Sequence, residues 1–522
     1  VVTVKFSGRY TDPMVAWALV VMFFVMGFFA LAMVGPANPF QSFDPPVGYD
    51  GPGPNPLLQN HILVAFHPPM LYLGFVGFTV PFAFAISALI TGRLGEGWLL
   101  ETRRWTLFAW GFLTAGIILG AWWAYDVLGW GGYWGWDPVE NASLIPWFCM
   151  TALAHSVIVL EKRNVLYFWV IILCLLTFVL SVTGTFLVRS GILNSVHTFA
   201  NDPNRGIYML SFLCLMIFSS LFLLFKKYRN NNYNINVNSK ETYVLINNWF
   251  MLFYLLTVLI GTLYPIFTDA LTENKISVGP PFYNAVIIPV VVVFLFFMAI
   301  GPNVKWIKNK FDNLMSIIII FILALIINFL IVYFFKSFTI LSNLIIISSL
   351  FLIISSLIDL KKSLEKSRFD LSRIISHLSF GFLILFIGLN HNFSFEEDFN
   401  MKVGETKNFN NYEIKFKKLE VKNLNNYKTL IGDLEIKNKK ISEIKTLNPE
   451  IRIYESPSTL TYEAAIKTNI IKDYYLTMSN IDRSEFYNIK FQKKPMMFWI
   501  WVSCVALAIG GFLRVFQNAK SN

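Results

Sequence analysis

Twelve apolar stretches, each 17 or more residues long, dominate this sequence of 522 residues. A helix needs about 20 residues to cross the hydrocarbon core of a bilayer, so each stretch is a candidate membrane span. The stretches lie at 14–35, 70–91, 105–125, 144–160, 165–187, 207–226, 246–267, 283–301, 314–335, 339–358, 374–390 and 495–514. Because 55% of the residues are hydrophobic and only 14% are charged, we predict an all-α polytopic membrane protein.

Basic residues concentrate in the loops on one side of these spans, including 92–104, 226–245 and 359–373. Cytoplasmic loops carry such an excess of Lys and Arg, so these loops are assigned to the cytoplasm. The loops 126–143 and 188–206 then face the periplasm of a bacterium, and the expected location is the inner (plasma) membrane. The same rule explains the net charge of +11 without a nucleic-acid partner.

One long polar segment, 391–494, interrupts the apolar stretches. Pieces such as 412–416 and 451–454 alternate apolar and charged side chains, which is typical of β-strands. We therefore expect three parts. They are a transmembrane helical bundle over 1–390, a small periplasmic β-rich domain over 391–494, and a final span with a cytoplasmic tail over 495–522.

The residues that the spans contain argue against three classes of protein. The four cysteines lie in apolar stretches without a Cys-x-x-Cys pair, which argues against a thiol oxidoreductase and a Cys-ligated iron–sulfur protein. The interiors of the predicted spans contain no Asp, Glu, Lys or Arg, which argues against an ion-coupled transporter. The titratable side chains that remain inside spans are two histidines, His155 and His377.

Two explanations fit His155 and His377. Haem iron takes imidazole nitrogens as axial ligands, and two helices can hold a haem between them. Alternatively, the histidines are unrelated, and each forms a hydrogen bond across a helix interface. Counted from the predicted span ends, His155 lies near mid-membrane and His377 nearer the cytoplasmic end, a depth difference that fits a shared iron poorly.

The loop at 126–143 contains three tryptophans, Trp130, Trp134 and Trp136, within seven residues and interleaved with glycine. Flat rings separated by glycine form a shelf suited to a large planar ligand at the edge of the membrane. A simple aromatic belt at the interface is the alternative, but a belt explains scattered rings better than clustered ones. Asp137 is expected to cap the following helix or to orient a histidine.

Three further residues of the outer face are candidate ligand contacts. His67 is expected at the entrance of the second span, and His197 lies in the loop at 188–206; together they could hold a haem from both faces. Each could equally be an ordinary exposed histidine, and His61 is a nearby competitor. Arg189 ends a span and is a candidate partner for a haem propionate, or equally an ordinary interfacial charge.

The Trp-rich string and its flanking motifs resemble a known family. The string resembles the tryptophan-rich "WWD" motif of the haem-handling proteins of cytochrome c maturation. Residues 136–143, with 66–69 before them and 184–191 after them, are similar to CcmF, the haem lyase subunit of the system I pathway, and the similarity covers nearly the whole chain. The resemblance also implies that roughly a hundred family residues would precede Val1.

The resemblance implies a haem lyase, which joins the vinyl groups of haem to the thiols of a Cys-x-x-Cys-His segment in apocytochrome c. The CcmF positions that match His67 and His197 ligate the haem presented to the Trp-rich platform. Those that match His155 and His377 hold a membrane haem b, which acts as the reductant. The implied partners are a periplasmic haem chaperone, apocytochrome c with its thiol-handling chaperone, quinol and membrane lipid; no catalytic acid or base is assigned.

Two alternatives come from other classes. A haem transporter or exporter of the same "WWD" family would share the Trp-rich loop, but that branch is shorter and lacks a large outer domain. A non-haem membrane scaffold subunit would share only the spans. Absorption spectroscopy separates the second alternative from the haem lyase, because a scaffold has no Soret band.

Overall fold

A computed structural model of the protein shows a bundle of long helices, a β-sandwich and one last helix, in that order along the chain. It describes residues 12–49, 51, 55–59, 61–94, 98–192, 202–227, 237, 239–272, 276–306, 314–335, 339–365, 370–424, 426–440, 443–481 and 484–516. The apolar stretches are helical because a helix satisfies every backbone hydrogen bond within one segment, as a bilayer requires.

Thirteen α-helices are present in the described ranges. They are α1 Pro13–Val34, α2 Leu63–Gly77, α3 Thr79–Thr91, α4 Leu99–Val127, α5 Pro138–Arg163, α6 Tyr167–Arg189, α7 Pro203–Lys227, α8 Lys240–Thr272, α9 Pro280–Ile300, α10 Leu314–Phe335, α11 Ile340–Glu365, α12 Leu371–Phe393 and α13 Met497–Phe516. With α2 and α3 taken together, the described helices give twelve spans long and apolar enough to cross a membrane. The predicted polytopic helical class is confirmed.

The second span begins earlier than residue 70, where the sequence analysis started it. Helix α2 begins at Leu63 and contains both Pro68 and Pro69. The N–H groups of Val64 and Ala65 bond to carbonyls three residues back, which completes a tight first turn ahead of the prolines. The fixed φ of proline is itself helical, so the prediction that His67 stands at the entrance of this span was wrong.

Helices α2 and α4 pack closely because glycines lie at their interface. A Cβ atom on Gly74 or Gly77 of α2 would lie 2.7 Å from Leu113 or Ala109 of α4. Gly116 of α4 is equally close to the opposite helix. Such small residues let two helix backbones approach where lipid offers no hydrophobic driving force.

The β-sandwich consists of ten strands between α12 and α13. They are β1 Phe395–Met401, β2 Thr406–Phe409, β3 Tyr412–Asn423, β4 Tyr427–Asn438, β5 Glu443–Leu447, β6 Glu450–Glu455, β7 Ser458–Glu463, β8 Ala465–Thr468, β9 Lys472–Asn480 and β10 Tyr487–Pro495. One sheet has the order β1-β10-β9-β8, and the other β2-β3-β4-β6-β7 with β5 beside β4. Ile414, Phe416, Leu476 and Phe491 are fully buried between them, as in a sandwich core.

The sandwich contacts the helical bundle at the end of α4. The Tyr125 hydroxyl of α4 donates to Oδ2 of Asp473 in β9 at 3.0 Å. The Tyr475 hydroxyl of β9 donates to the carbonyl of Tyr125 at 3.2 Å. Trp501 of α13 packs in the same apolar cluster as both tyrosines. Strand β9 is therefore attached to the helix that leads into the Trp-rich loop.

This junction is expected to lose stability as the pH rises. Burial raises the pKa of Asp473 from 3.8 to about 6, with Asp126 adding to the rise and the Tyr125 hydrogen bond opposing it. The native state therefore binds this proton more tightly than the unfolded chain, and stability falls as the pH rises from about 4 to about 6. Thermal unfolding between pH 4 and pH 8 should show this dependence in the wild type and a flatter profile in Asp473→Asn.

An exposed carboxylate on the same sandwich provides the matched control. Asp398 lies on β1 and is exposed, so Asp398→Asn should keep the wild-type profile. Equal pH profiles for the wild type and Asp473→Asn would contradict the prediction.

Candidate functional site

The backbone of the Trp-rich loop is held in an unusual conformation. Gly129 and Gly131 have φ angles of 72° and 70°, and Trp136 has a φ of 56° although it carries a side chain. A large residue adopts this left-handed region only where its surroundings fix it. A side chain at Gly131 would also collide with Gln492 of β10, so the loop and the sandwich fit together only with glycine there.

Asp137 begins helix α5 as its N-cap. Its carboxylate accepts from the Val139 N–H at 2.9 Å. Oε2 of Glu140 accepts in return from the N–H groups of Asp137 at 3.2 Å and of Gly135 at 3.0 Å. This capping box satisfies donors at the helix start and holds the end of the loop. Of the two roles expected for Asp137, the structure contains the helix cap.

The three indoles are half-buried and differ in their supports. Trp136 stacks on Tyr283 of α9, with ring centroids 4.1 Å apart and planes 8° apart. Trp134 meets Trp136 edge-on, with ring centroids 6.2 Å apart. The ring of Trp130 lies directly over Gly135, where a Cβ atom would not fit. The cluster is therefore a packed, preorganised surface.

His67 lies inside α2 and faces α4. Its Nδ1 is 2.7 Å from the carbonyl oxygen of Gly116. A carbonyl only accepts, so Nδ1 carries the proton, and the neutral ring has its lone pair on Nε2. Gly120 lies one helical turn further on α4, and the imidazole packs against it. The ring is thus fixed in one orientation and one tautomer, as metal-ligating histidines commonly are.

A side chain at position 120 is expected to displace this imidazole. A Cβ atom on Gly120 would lie 2.5 Å from Cε1 of His67, so Gly120→Ala forces the ring away from its bond to Gly116. Gly27→Ala is the matched control, because a Cβ atom on Gly27 of α1 would meet nothing within 4 Å. If the chain has the activity that the resemblance implies, formation of c-type cytochrome should fall at least about tenfold in the first variant only; equal activity of both variants would contradict the expectation.

Of the other candidate ligand contacts on the outer face, the structure describes only some. His197 lies outside the described residues. Arg189 ends α6, and its Nη2 donates to the Tyr72 hydroxyl of α2 at 3.2 Å. Arg205 at the start of α7 donates to the carbonyl of Pro36 at 3.0 Å. Arg189 therefore contacts the helix that carries His67, and its assignment to a propionate remains a prediction.

His155 and His377 lie at similar depths, unlike the expectation from the sequence. His155 is eight residues from the end of α5, and His377 is six residues after the start of α12. At about 1.5 Å per residue these positions are about 12 Å and about 9 Å from the same end of the bundle. The two depths differ by only about 3 Å, because α5 extends three residues beyond its predicted end and α12 begins three residues before its predicted start, which leaves an offset of two residues.

Ion pairs show that the end of α5 and the start of α12 lie on the same side of the helical bundle. Arg103 of α4 pairs with Glu161 of α5 at 2.8 Å. Arg514 of α13 pairs with Asp370, which precedes α12, at 3.0 Å. Arg103 also lies within electrostatic range of Asp370 and Arg514, so the pairs form one charged cluster at this end.

The two imidazoles lie within electrostatic range of each other. Nδ1 of His155 donates to the Thr151 carbonyl at 2.8 Å, which again leaves the neutral lone pair on Nε2. Trp110 of α4 donates to the Thr151 hydroxyl at 2.9 Å, and its ring packs against Gly511 of α13. Helices α4 and α13 thus connect the helices of the two histidines, an arrangement that fits a haem held between imidazoles.

Comparison with known proteins identifies the family. Residues 1–193 match the family described as cytochrome C assembly protein, and residues 392–495 match the CcmF C-terminal β-sandwich. A CcmF from Pseudomonas aeruginosa is 36% identical over 98% of this chain and 80% of its own length. The Escherichia coli CcmF is 35% identical over the same shares. The chain belongs to the CcmF family.

A solved structure agrees with this assignment. The protein titled "Cytochrome c Heme Lyase CcmF" matches 98% of this chain and 80% of its own, with a TM-score of 0.79 and 26% identity. The chain is therefore a multi-pass bacterial membrane protein of cytochrome c biogenesis, in the haem lyase family. The resemblance stated from the sequence is confirmed, and the scaffold and exporter alternatives lose their support.

This CcmF family member also has contacts near the site that the sequence analysis did not predict. His61 forms an ion pair with Asp126 at the end of α4, with 3.3 Å between Nε2 and Oδ2. Gln492 is fully buried against Gly131 of the Trp-rich loop, and neither of its amide atoms has a hydrogen-bond partner among the described residues. No local pattern marks either contact, because each joins segments far apart in the sequence.

Proposed function

We propose that this protein is a haem lyase that presents haem at the Trp-rich loop for attachment to the thiols of apocytochrome c. The observation that carries the proposal is preorganisation: His67 is locked by its bond to Gly116, and in the Trp-rich loop Trp136 stacks on Tyr283 and meets Trp134 edge-on. Fixed geometry suits this reaction, in which two thiols must meet two vinyl groups of one rigid ring.

The outer site binds haem as the substrate. His67 and His197 ligate the iron, and Trp130, Trp134 and Trp136 support the plane of the ring. Nε1 of Trp134 is buried and has no hydrogen-bond partner among the described residues. An unpaired buried N–H is costly, and a haem propionate would accept from it. Arg189 is a second donor for a propionate.

At the inner site, His155 and His377 would hold a haem b. Both helices supply an apolar sheath, and the hydrogen bond from His155 to Thr151 fixes the ligating nitrogen. A haem bound there supplies electrons that keep the substrate iron ferrous, and quinol is its proposed source.

Helix α4 connects the two sites. It contacts His67 through Gly116 and Gly120 and the inner site through Trp110. Gly116 and Trp110 are six residues apart, which is about 9 Å along a helix. The proposed route for electrons between the sites is therefore short.

The orientation and partners complete the proposal. The excess of basic residues in the opposite loops favours a periplasmic position for the Trp-rich loop and the sandwich. There the protein would receive haem from a membrane-tethered haem chaperone. Apocytochrome c would arrive with its thiol-handling chaperone.

An absorption spectrum tests the haem assignment most directly. The purified, folded protein should show Soret and α bands of a haem b. A well-folded preparation without these bands, even after addition of haem, would refute the inner site. A normal spectrum with no c-type cytochrome formed in cells would instead refute the lyase activity.

A further inference from the structure

A groove of about 580 Å³ lies between the Trp-rich loop and the β-sandwich. One wall consists of residues 55–57 and the end of α4, the other of residues 457–462. Trp130 lines the groove at the end of the first wall. The groove thus runs alongside the loop that forms the haem platform.

The second wall is an unpaired strand edge. Strand β7 is the last strand of its sheet, and among the described strands it pairs with β6 alone. Ser458, Thr459 and Leu460 on β7 are exposed. The outward N–H and C=O groups of an edge strand are a ready template for another extended chain.

The end of this edge meets the Trp-rich loop. A Cβ atom on Gly129 would lie 3.7 Å from the carbonyl oxygen of Tyr462 in β7. Two residues further along the loop, the backbone of Gly131 packs on Gln492. An extended chain paired with β7 would therefore run directly to Trp130.

We propose that β7 binds the thiol-bearing segment of apocytochrome c as an added β-strand. The inference rests on the proposed lyase function and names the binding site of its protein substrate. Six residues of β7 extend about 20 Å, enough for a five-residue Cys-x-x-Cys-His segment. Main-chain pairing suits this task, because it accepts substrates that share only a few side chains.

Site-specific photo-cross-linking in the full chain, held in membranes, tests the site. A photoreactive residue replaces Thr459 in the groove or, as matched control, Thr406, an exposed threonine on β2 at the opposite edge of the same sheet. The probe is a synthetic peptide with a central Ser-x-x-Ser-His segment, which cannot form thioether bonds. Cross-linking at 459 should exceed that at 406 at least about tenfold.

A second probe separates main-chain pairing from side-chain contact. The same peptide with N-methyl groups on alternate residues keeps its side chains but loses its donors, so cross-linking at 459 should disappear. Equal labelling at both positions, or labelling that survives N-methylation, would overturn the proposal. So would labelling at 459 by a folded partner protein but not by the peptide.

The cross-linking experiment and the haem experiments can fail separately. A peptide that cross-links to a protein without lyase activity would support the groove and refute the proposed function. Normal lyase activity without cross-linking at 459 would support the proposed function and refute the binding of the peptide in the groove.

Discussion

Replacing His155 or His377 with alanine is expected to remove the haem b absorption of the purified protein. At the proposed inner site, each variant removes one of the two imidazoles that would hold the haem in an apolar sheath. Haem occupancy should fall at least about tenfold, which corresponds to about 1.4 kcal/mol or more of binding free energy. The measurement is the Soret absorbance per mole of protein.

His391→Ala is the matched control for these variants. This residue lies in the last turn of α12 and is exposed, at the opposite end of the helix from His377. Its removal should leave the spectrum unchanged. If His155→Ala kept full absorbance while His377→Ala lost it, the shared iron would be refuted and the pair would be two unrelated histidines.

Replacing His67 or His197 with alanine should leave that spectrum intact and abolish formation of c-type cytochrome. The imidazole of His67 contacts α4 at Gly116 and Gly120, away from the Thr151 carbonyl that orients His155. Loss of a proposed outer ligand should therefore weaken binding of the substrate haem without disturbing the proposed inner site. Covalent haem staining of a reporter cytochrome should fall at least about tenfold.

His61→Ala distinguishes the two outer candidates that the sequence left open. His61 is paired with Asp126, whereas His67 is bonded to a carbonyl that fixes its tautomer. We expect His61→Ala to retain most of the staining. If all four proposed ligands behaved alike in both assays, the model of two separate haem sites would fail.

The sequence was sufficient for features with a local cause. Twelve spans and one alternating polar segment were predicted because hydropathy and strand periodicity depend on neighbours within one element. The start of α2 was predicted too late because that prediction, too, used only local signals. Two adjacent prolines resemble a helix boundary, but the N–H groups of Val64 and Ala65 close a first turn ahead of them, and the helix contains both prolines.

Contacts between distant segments could not be predicted in this way. The bond from His67 to Gly116, the Asp473–Tyr125 pair and the packing of Gln492 on the Trp-rich loop join residues far apart in the chain. None of these contacts has a sequence signature, because the role of Gly116 and of Gln492 depends on which residues the folded helices and strands place beside them.

The sequence by itself determined the membrane class, the β-rich segment, the family and the residue types able to bind haem, since each depends on composition or on a short motif. The tertiary structure alone decided that His155 and His377 lie near each other and that α4 contacts both proposed sites. It also decided that β7 ends at the Trp-rich loop. Helix packing sets these relations, because proximity depends on how close-packed glycines and partly buried ion pairs align separate helices.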